Sequence, residues 1–269
     1  MSKPVSRPMS KLSVKELLGL KGVRQISFVQ VARAEEAIAA AQAGIDMIGT
    51  AFGEDTYHYP ALIPQTHFQF GLTWGRHANA DEALRDAMKA MEAGAQSIYC
   101  GMSPHVVEVL AREGVPVIAH VGLVPPKATW VGGMRAVGRN AQQASQVFHD
   151  CKAFESAGAF AVEMEVVAAQ VAAEITQRVA MLTISLGSGA KCDVTYLFSA
   201  DLLGENTGHM PRHAKTYRNF AAQRDFMQQE RIAAYKEFNA DIANKAYPSS
   251  THDVAIEEVE FSQFIDNIS

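Results

Sequence analysis

Apolar and polar positions follow a repeated pattern along the chain: an amphipathic helix, a glycine and a short apolar strand. EEAIAAAQAG (35–44) leads into IDMIGTA, and DEALRDAMKAMEAG (81–94) leads into AQSIYCG. Two similar units start at residues 106 and 146. In each unit apolar residues recur every three or four positions until a glycine ends the helix. This pattern predicts parallel strands joined by crossover helices.

Eight segments have the apolar character of buried strands. They lie at residues 24–31, 45–51, 67–71, 95–101, 115–120, 159–165, 181–187 and 194–200. A closed barrel is the economical arrangement of eight such strands, and an open doubly wound sheet is the alternative. No GxGxxG motif follows the first strand, which weakens the alternative. We therefore predict an α/β fold, a (β/α)₈ TIM barrel with extra C-terminal helices.

The segments on either side of the predicted barrel have a different character. Residues 1–22 begin MSKPVSRPMSK, lack the apolar core of a signal peptide, and are expected to form a polar arm. The barrel core is expected to span residues 23–210. Residues 211–269 contain one or two amphipathic helices (212–248) and an acidic tail, and we expect them to pack on the barrel or on a neighbouring subunit.

Composition excludes several functional classes. The net charge of −5 gives no reason to expect a nucleic-acid partner. No apolar run approaches the ~20 residues of a membrane span. The three cysteines, Cys100, Cys151 and Cys192, lack CxxC spacing and indicate a reducing compartment, so a cytoplasmic location is expected.

Candidate site residues are sought at the C-terminal ends of the strands, where such barrels carry their active sites. Glu163 and Glu165 stand two positions apart on one strand and therefore point to the same side. If that side is the barrel interior, burial raises the pKa of a carboxylic acid towards the range of a general base. The alternative is that both face the helix layer in salt bridges. His120 ends the fifth strand, as a site residue or as a core histidine.

The connection from Val121 to Gly138 is long for this fold, at about 18 residues, and carries Lys127 and Arg135. It is expected to act as a cationic lid over an anionic substrate, with an ordinary surface loop as the alternative. The glycine-rich turn SLGSGAK (185–191) contains Ser188 and offers N–H groups to a carboxylate or phosphate, unless it is only a tight turn. Polar and small residues at other strand ends add three candidates: Thr50, Ala51 and Tyr99.

Several motifs together resemble one enzyme family. They are AHVGLVPPKATWVGGMRAVGR (119–139), ESAGAFAVEMEVVA (155–168), SLGSG (185–189), and Asp201 to Gly204 followed by Gly208-His209-Met210-Pro211 and Lys215. The chain is similar to ketopantoate hydroxymethyltransferase, in the phosphoenolpyruvate/pyruvate barrel superfamily. The resemblance implies a homo-oligomeric barrel that binds Mg²⁺, forms the enolate of a 2-oxo acid and adds a one-carbon unit from methylenetetrahydrofolate. It makes Glu165 the general base and matches His120 to the family's histidine.

The three acidic positions around the family's metal are replaced in this sequence. They fall on Thr50 or Phe52, on Gly71 and on Gly101. We therefore expect no Mg²⁺ at that position, and either a metal-independent reaction or a metal re-sited on Glu54, Asp55 and His58. The folate donor is left open by the sequence.

The predicted function is carbon–carbon bond formation or cleavage on a small 2-oxo acid or related carboxylate. Glu165 is the base, and His120 hydrogen-bonds the substrate oxygen. The expected substrate-binding residues are Thr50, Ala51, Tyr99, Glu163, Lys127, Arg135 and Ser188. The alternatives are a repurposed lyase, isomerase or hydrolase on the same barrel, and a non-catalytic binding or assembly protein. Retention of Glu165, His120 and the lid argues against the last.

Overall fold

Eight parallel strands form a closed barrel in the computed structural model, which describes residues 11–269. Each strand pairs with its neighbours in chain order, and β8 closes on β1. The strands are β1 (Ile26–Gln30), β2 (Met47–Ala51), β3 (His67–Gly71), β4 (Ser97–Tyr99), β5 (Val117–Gly122), β6 (Ala161–Glu165), β7 (Leu182–Leu186) and β8 (Val194–Phe198). All eight lie inside or within two residues of the predicted segments, and the predicted (β/α)₈ barrel is confirmed.

Helices connect the strands and continue beyond them. They are α1 (Val14–Gly19), α2 (Ala34–Gln42), α3 (Tyr59–Leu62), α4 (Ala80–Glu92), α5 (Pro104–Arg112), α6 (Ala141–Ser156), α7 (Ala169–Thr176), α8 (Ser199–Leu203), α9 (Phe220–Ala243) and α10 (Glu258–Ile268). Among the helices of residues 11–269, none combines the length and apolar character needed to cross a membrane.

Two apolar layers hold the barrel together. Small residues such as Ala37, Ala83 and Ala87 are fully buried between the helices and the outer face of the strands. Their size lets the helices pack closely on the strand wall. The second layer fills the lower lumen, where Met47 and Leu182 are fully buried.

The expected polar arm differs in its described part. Residues 1–10 lie outside the described residues, but Val14–Gly19 form a helix with a capping box between Ser13 and Glu16. Leu17 is fully buried in the lower lumen layer. This helix has only six residues, so its few apolar positions were not enough to predict it from the sequence. The helix closes the N-terminal end of the barrel.

The chain divides into two compact units, one ending at Arg218 and the other spanning Asn219–Ser269. The second unit contains α9, as predicted, and α10, which lies in the segment expected to be an acidic tail. Its apolar residues recur at helical spacing from Val259 to Ile268, a pattern that the neighbouring glutamates obscured. What these helices pack against stays a prediction.

Candidate active site

The pairing of β5 with β6 brings the two predicted acid–base residues together. His120 lies opposite Glu163, and Gly122 lies opposite Glu165. Val162 and Met164, the alternate residues of β6, are fully buried in the helix-facing layer. Because side chains alternate along a strand, Glu163 and Glu165 must face the lumen. The interior placement is confirmed over the helix-facing alternative.

Three side chains meet at the C-terminal end of the lumen. His120 Nε2 lies 3.3 Å from Glu165 Oε2, and one ligand atom each of His120, Glu163 and Glu165 lie within 4.8 Å of one another. On the other edge of the imidazole, Nδ1 lies 2.6 Å from the hydroxyl of Tyr99. A line of polar groups therefore runs from β4 across β5 to β6.

Burial and mutual charge set the pKa values of this group. Burial raises the pKa of Glu163 to about 7, with Glu165 adding to the rise and His120 opposing it. Burial alone would lower the pKa of His120. The negative charges of Glu163 and then Glu165 have a larger combined effect, and the pKa of His120 is therefore raised. Burial, with a contribution from both carboxylates, raises the pKa of Tyr99 far enough to keep it a neutral phenol.

A glycine at the end of β5 fixes the position of Glu165. Gly122 has φ = 88°, and a Cβ there would lie 2.4 Å from the carbonyl oxygen of Glu165. The next residue, Leu123, donates its N–H to that same carbonyl at 2.8 Å. A residue with a side chain could not allow this approach, so the glycine positions the end of β6.

Ser188 departs from the substrate-binding role expected of the glycine-rich turn. It is buried, its N–H donates to the Ser185 hydroxyl, and its own hydroxyl donates to the Met164 carbonyl while accepting from the Val167 N–H. Both groups are therefore used within the protein. Ser188 ties the turn to the end of β6 and supports Glu165 rather than a ligand.

Thr50 also departs from its expected role. It shares the side of β2 with Ile48, which is buried in the layer between strands and helices. The two-residue period therefore turns Thr50 away from the lumen. Ala51, the next residue, takes the lumen side at the exposed end of the strand.

The predicted lid contains a 3₁₀ helix, Pro125–Val131. Lys127 donates to the Gly101 carbonyl at 3.1 Å and lies 5.1 Å from the centre of the Trp74 ring. A cavity of about 180 Å³ is lined by Trp74, Tyr99 and Pro126 among others, and a second cavity of about 350 Å³ is lined by Lys127 and His120 among others. Arg135 is exposed and forms no ion pair within the part of the chain that the structure describes. The ligand roles of both cations stay predictions.

The comparison with known families agrees with this geometry. The sequence profile of ketopantoate hydroxymethyltransferase matches residues 64–250. The chain belongs to the ketopantoate hydroxymethyltransferase family. It is 32% identical over 248 residues to the 3-methyl-2-oxobutanoate hydroxymethyltransferase of Geobacillus sp. (strain WCH70), covering 82% of this chain and 86% of the relative. The enzyme of the same name from Staphylothermus marinus is 29% identical over 268 residues, covering 91% and 96%.

Solved structures share the fold at low identity. An oxaloacetate acetylhydrolase in complex with 3,3-difluorooxalacetate gives a TM-score of 0.56 at 12% identity, covering 91% of this chain and 100% of that one. A 2,3-dimethylmalate lyase of the phosphoenolpyruvate mutase/isocitrate lyase superfamily gives 0.50 at 11%, covering 95% and 99%. At these identities the likeness shows the barrel alone. The family match makes the chain an enzyme of this hydroxymethyltransferase-like class.

The magnesium site implied by the ketopantoate hydroxymethyltransferase family does not fit this chain. A Cβ on Gly71 would lie 3.5 Å from the Tyr99 ring, and one on Gly101 would lie 3.0 Å from the Tyr99 hydroxyl. Tyr99 thus occupies the space into which side chains at these two positions would project. Mg²⁺ requires oxygen ligands in a near-octahedral array, and neither glycine supplies one.

The alternative metal position on the β2 loop is not assembled either. Glu54, Asp55 and His58 are exposed. Within residues 11–269, the group of metal-ligating side chains close enough to share an ion consists of His120, Glu163 and Glu165.

One residue of the site was missed by the sequence analysis. Tyr196 on β8 is buried beneath the carboxylates, where burial, then Glu163, Tyr99 and Glu165, raise its pKa. Its ring stacks on Phe28 with 4.5 Å between centres, and its hydroxyl lies 3.4 Å from Gln30 Oε1. The apolar run of β8 gave no signal that this tyrosine faces the lumen.

Proposed function

We propose that this protein forms or cleaves a carbon–carbon bond next to the carbonyl of a small 2-oxo acid, with Glu165 as the general base. The observation that carries the proposal is the contact of Glu165 Oε2 with His120 Nε2 at 3.3 Å in a buried, lumen-facing site. A base and a potential hydrogen-bond donor are thereby presented side by side to a ligand entering from the C-terminal end.

Each residue of the site has a separate role in this proposal. The Glu165 carboxylate takes a proton from the carbon next to the substrate carbonyl. The resulting enolate carbon attacks the carbon of a formaldehyde-level one-carbon unit, whose C=O π electrons move to its oxygen, and the protonated Glu165 returns the proton to that oxygen. His120 donates from Nε2 to the oxygen on which negative charge develops. Tyr99 holds the ring from the Nδ1 side. Lys127, at the cavity mouth, is placed to approach a substrate carboxylate once its contact with the Gly101 carbonyl is exchanged.

Proton exchange tests the base directly and needs no second substrate. Pyruvate, 2-oxobutanoate and 3-methyl-2-oxobutanoate are incubated with the protein in deuterated buffer, and loss of the proton next to the carbonyl is followed by NMR. Glu165→Gln keeps the shape and removes the base, and a positioned base contributes ~10²–10⁴-fold in rate. We expect the exchange rate to fall by that order.

Glu92→Gln is the matched control, because Glu92 is an exposed glutamate at the end of α4. It should exchange like the wild type. If the Glu165→Gln variant exchanged the proton at a rate within a few-fold of wild type, the base would be Glu163 and not Glu165. Absence of exchange on every 2-oxo acid in the wild type would contradict the substrate class.

A further inference from the structure

One buried nitrogen in the site lacks a hydrogen-bond partner. Among the buried side-chain nitrogen and oxygen atoms of the described residues, it is His120 Nε2 that has none. Glu165 Oε2 lies 3.3 Å away, within ion-pair distance, but the nitrogen does not point at that oxygen as a hydrogen bond requires. The residue is only 5% exposed. A buried polar atom left unsatisfied in this way is destabilising, so the arrangement calls for a further group.

The spacing of His120 Nε2 and Glu165 Oε2 fits a shared metal ion. With metal–nitrogen and metal–oxygen distances of about 2.0–2.2 Å, two ligand atoms of a tetrahedral site lie about 3.4 Å apart. The measured distance is 3.3 Å. In such a site the nitrogen points about 35° away from the neighbouring oxygen, towards the ion. The misaligned contact and the short distance are then explained together. We propose that His120 Nε2, Glu163 and Glu165 bind one divalent transition-metal ion.

Tyr99 supports this assignment from the outer side of the ring. A metal-bound histidine typically donates its other N–H to an acceptor that fixes the ring and its tautomer. The Tyr99 oxygen, 2.6 Å from Nδ1, is such an acceptor. Nδ1 then carries the proton, and Nε2 turns its lone pair towards the carboxylates.

Charge and ligand type identify the class of ion. Glu163 is buried and Glu165 is mostly buried, so their carboxylates repel each other, and a divalent cation offsets both charges and the cost of burying them. An imidazole nitrogen together with carboxylates favours Zn²⁺, Co²⁺, Mn²⁺ or Fe²⁺ over Mg²⁺, which prefers oxygen ligands alone. Three protein ligands leave a coordination position open.

The ion would occupy both groups of the proposed function. A carboxylate that holds an ion is not free to accept a proton, and a metal-bound Nε2 has no proton to donate to the substrate oxygen, so the metal-loaded site is an alternative state to the metal-free one. The inference goes beyond the proposed function and is tested by binding, so the two can fail separately. If the ion binds and speeds the exchange reaction, the role of Glu165 as base is wrong while the site stands.

The experiment uses the full-length protein stripped of metal with a chelator. Co²⁺ is titrated and followed by its visible d–d absorption, and Zn²⁺ and Mg²⁺ are titrated by calorimetry. We expect one equivalent of Co²⁺ or Zn²⁺, an absorption typical of nitrogen and oxygen ligands, and much weaker binding of Mg²⁺. No saturable Co²⁺ or Zn²⁺ binding by folded wild-type protein would overturn the proposal.

Variants locate the ion. His120→Ala and Glu163→Gln each remove a ligand and should weaken binding by more than ~100-fold, and Tyr99→Phe should weaken it by ~10–100-fold, as loss of a supporting hydrogen bond does. His58→Ala, on the exposed β2 loop, is the matched control and should bind like the wild type. Circular dichroism verifies that each variant is folded. Loss of binding in His58→Ala, or unchanged binding in both ligand variants, would overturn the assignment.

Discussion

At the scale of single residues, Tyr99 accounts for much of what distinguishes this site. Its ring fills the space beside Gly71 and Gly101, and its hydroxyl contacts His120. The loss of acidic side chains at the family's metal positions and the orientation of the imidazole are therefore linked through one aromatic residue. The polar cluster of this chain lies on the β5–β6 side of the barrel.

A second buried histidine, at the opposite end of the barrel, predicts a pH dependence of stability. His67 Nδ1 contacts the Leu12 carbonyl at 2.8 Å, and Nε2 contacts the Ser97 hydroxyl at 2.9 Å. Burial lowers its pKa to about 4. Because the folded pKa is depressed, the unfolded chain binds the proton more readily. The stabilisation is present above the unfolded pKa of about 6.5 and is lost as pH falls towards 4, up to about 3 kcal/mol.

Urea unfolding at pH 7, 6 and 5 checks this prediction. The loss of stability between pH 7 and 5 should be smaller in His67→Gln than in wild type, whatever the variant's absolute stability. His149→Gln is the control, since His149 is exposed on α6, and should keep the wild-type slope. Equal slopes in all three proteins would show that His67 does not titrate as described.

At the scale of elements, the glycines that end helices and strands differ in how much space a side chain would have. Gly114 ends the turn after α5 with φ = 82°, and a Cβ there would meet nothing within 4 Å. Gly122 has a similar φ, but a Cβ would lie 2.4 Å from the Glu165 carbonyl oxygen and 2.6 Å from Val167 Cγ2. Gly114 is required only for its left-handed backbone conformation, whereas Gly122 is also required because there is no room for a side chain.

This pair gives a matched prediction for alanine. Gly114→Ala should lower the free energy of unfolding by about 1–2 kcal/mol, the cost of left-handed backbone in a residue with a Cβ. Gly122→Ala adds overpacking of about 1–3 kcal/mol and should cost about 2–5 kcal/mol in total. It should also slow proton exchange, because it displaces the Glu165 backbone. Denaturant titration measures the loss of stability, and the exchange assay measures the change in rate. Equal losses of stability in Gly114→Ala and Gly122→Ala would contradict the close approach at Gly122.

At the scale of the whole molecule, residues 219–269 predict self-association. The 24-residue helix α9 has no buried residue, although Phe226 is 64% and Tyr235 72% exposed. In α10, Phe261 and Phe264 are also exposed. A helix gains most of its stability from tertiary packing, so large apolar residues left exposed on these helices indicate contact surfaces. We expect a homo-oligomer, as the family resemblance also implies.

Sedimentation velocity tests this expectation. The wild type should sediment as an oligomer, and the double substitution Phe226→Ser/Tyr235→Ser should shift it towards the monomer. Glu92→Gln, on the barrel, should not change the distribution. A wild-type monomer across the accessible concentration range would show that these apolar residues have another use.

The sequence by itself determined the barrel and was enough to propose Glu165 and His120 as its acid–base residues. Periodicity is a local property, so the helix–glycine–strand units and all eight strands were predictable from neighbouring residues. The alternation of Val162, Glu163, Met164 and Glu165 was enough to favour the lumen for both carboxylates. The family motifs added the proposed roles of His120 and Glu165.

Only the tertiary structure decided which side chains meet. The strand register across β4, β5 and β6 places Tyr99 in contact with His120 and sets Glu163 opposite His120, although the three are far apart in the chain. In the closed barrel Thr50 points outward and Ser188 forms hydrogen bonds within the protein. His120 Nε2 is left without a hydrogen bond. These outcomes depend on the direction and spacing of side chains from different strands, which closure of the barrel fixes and which no local pattern in the sequence specifies.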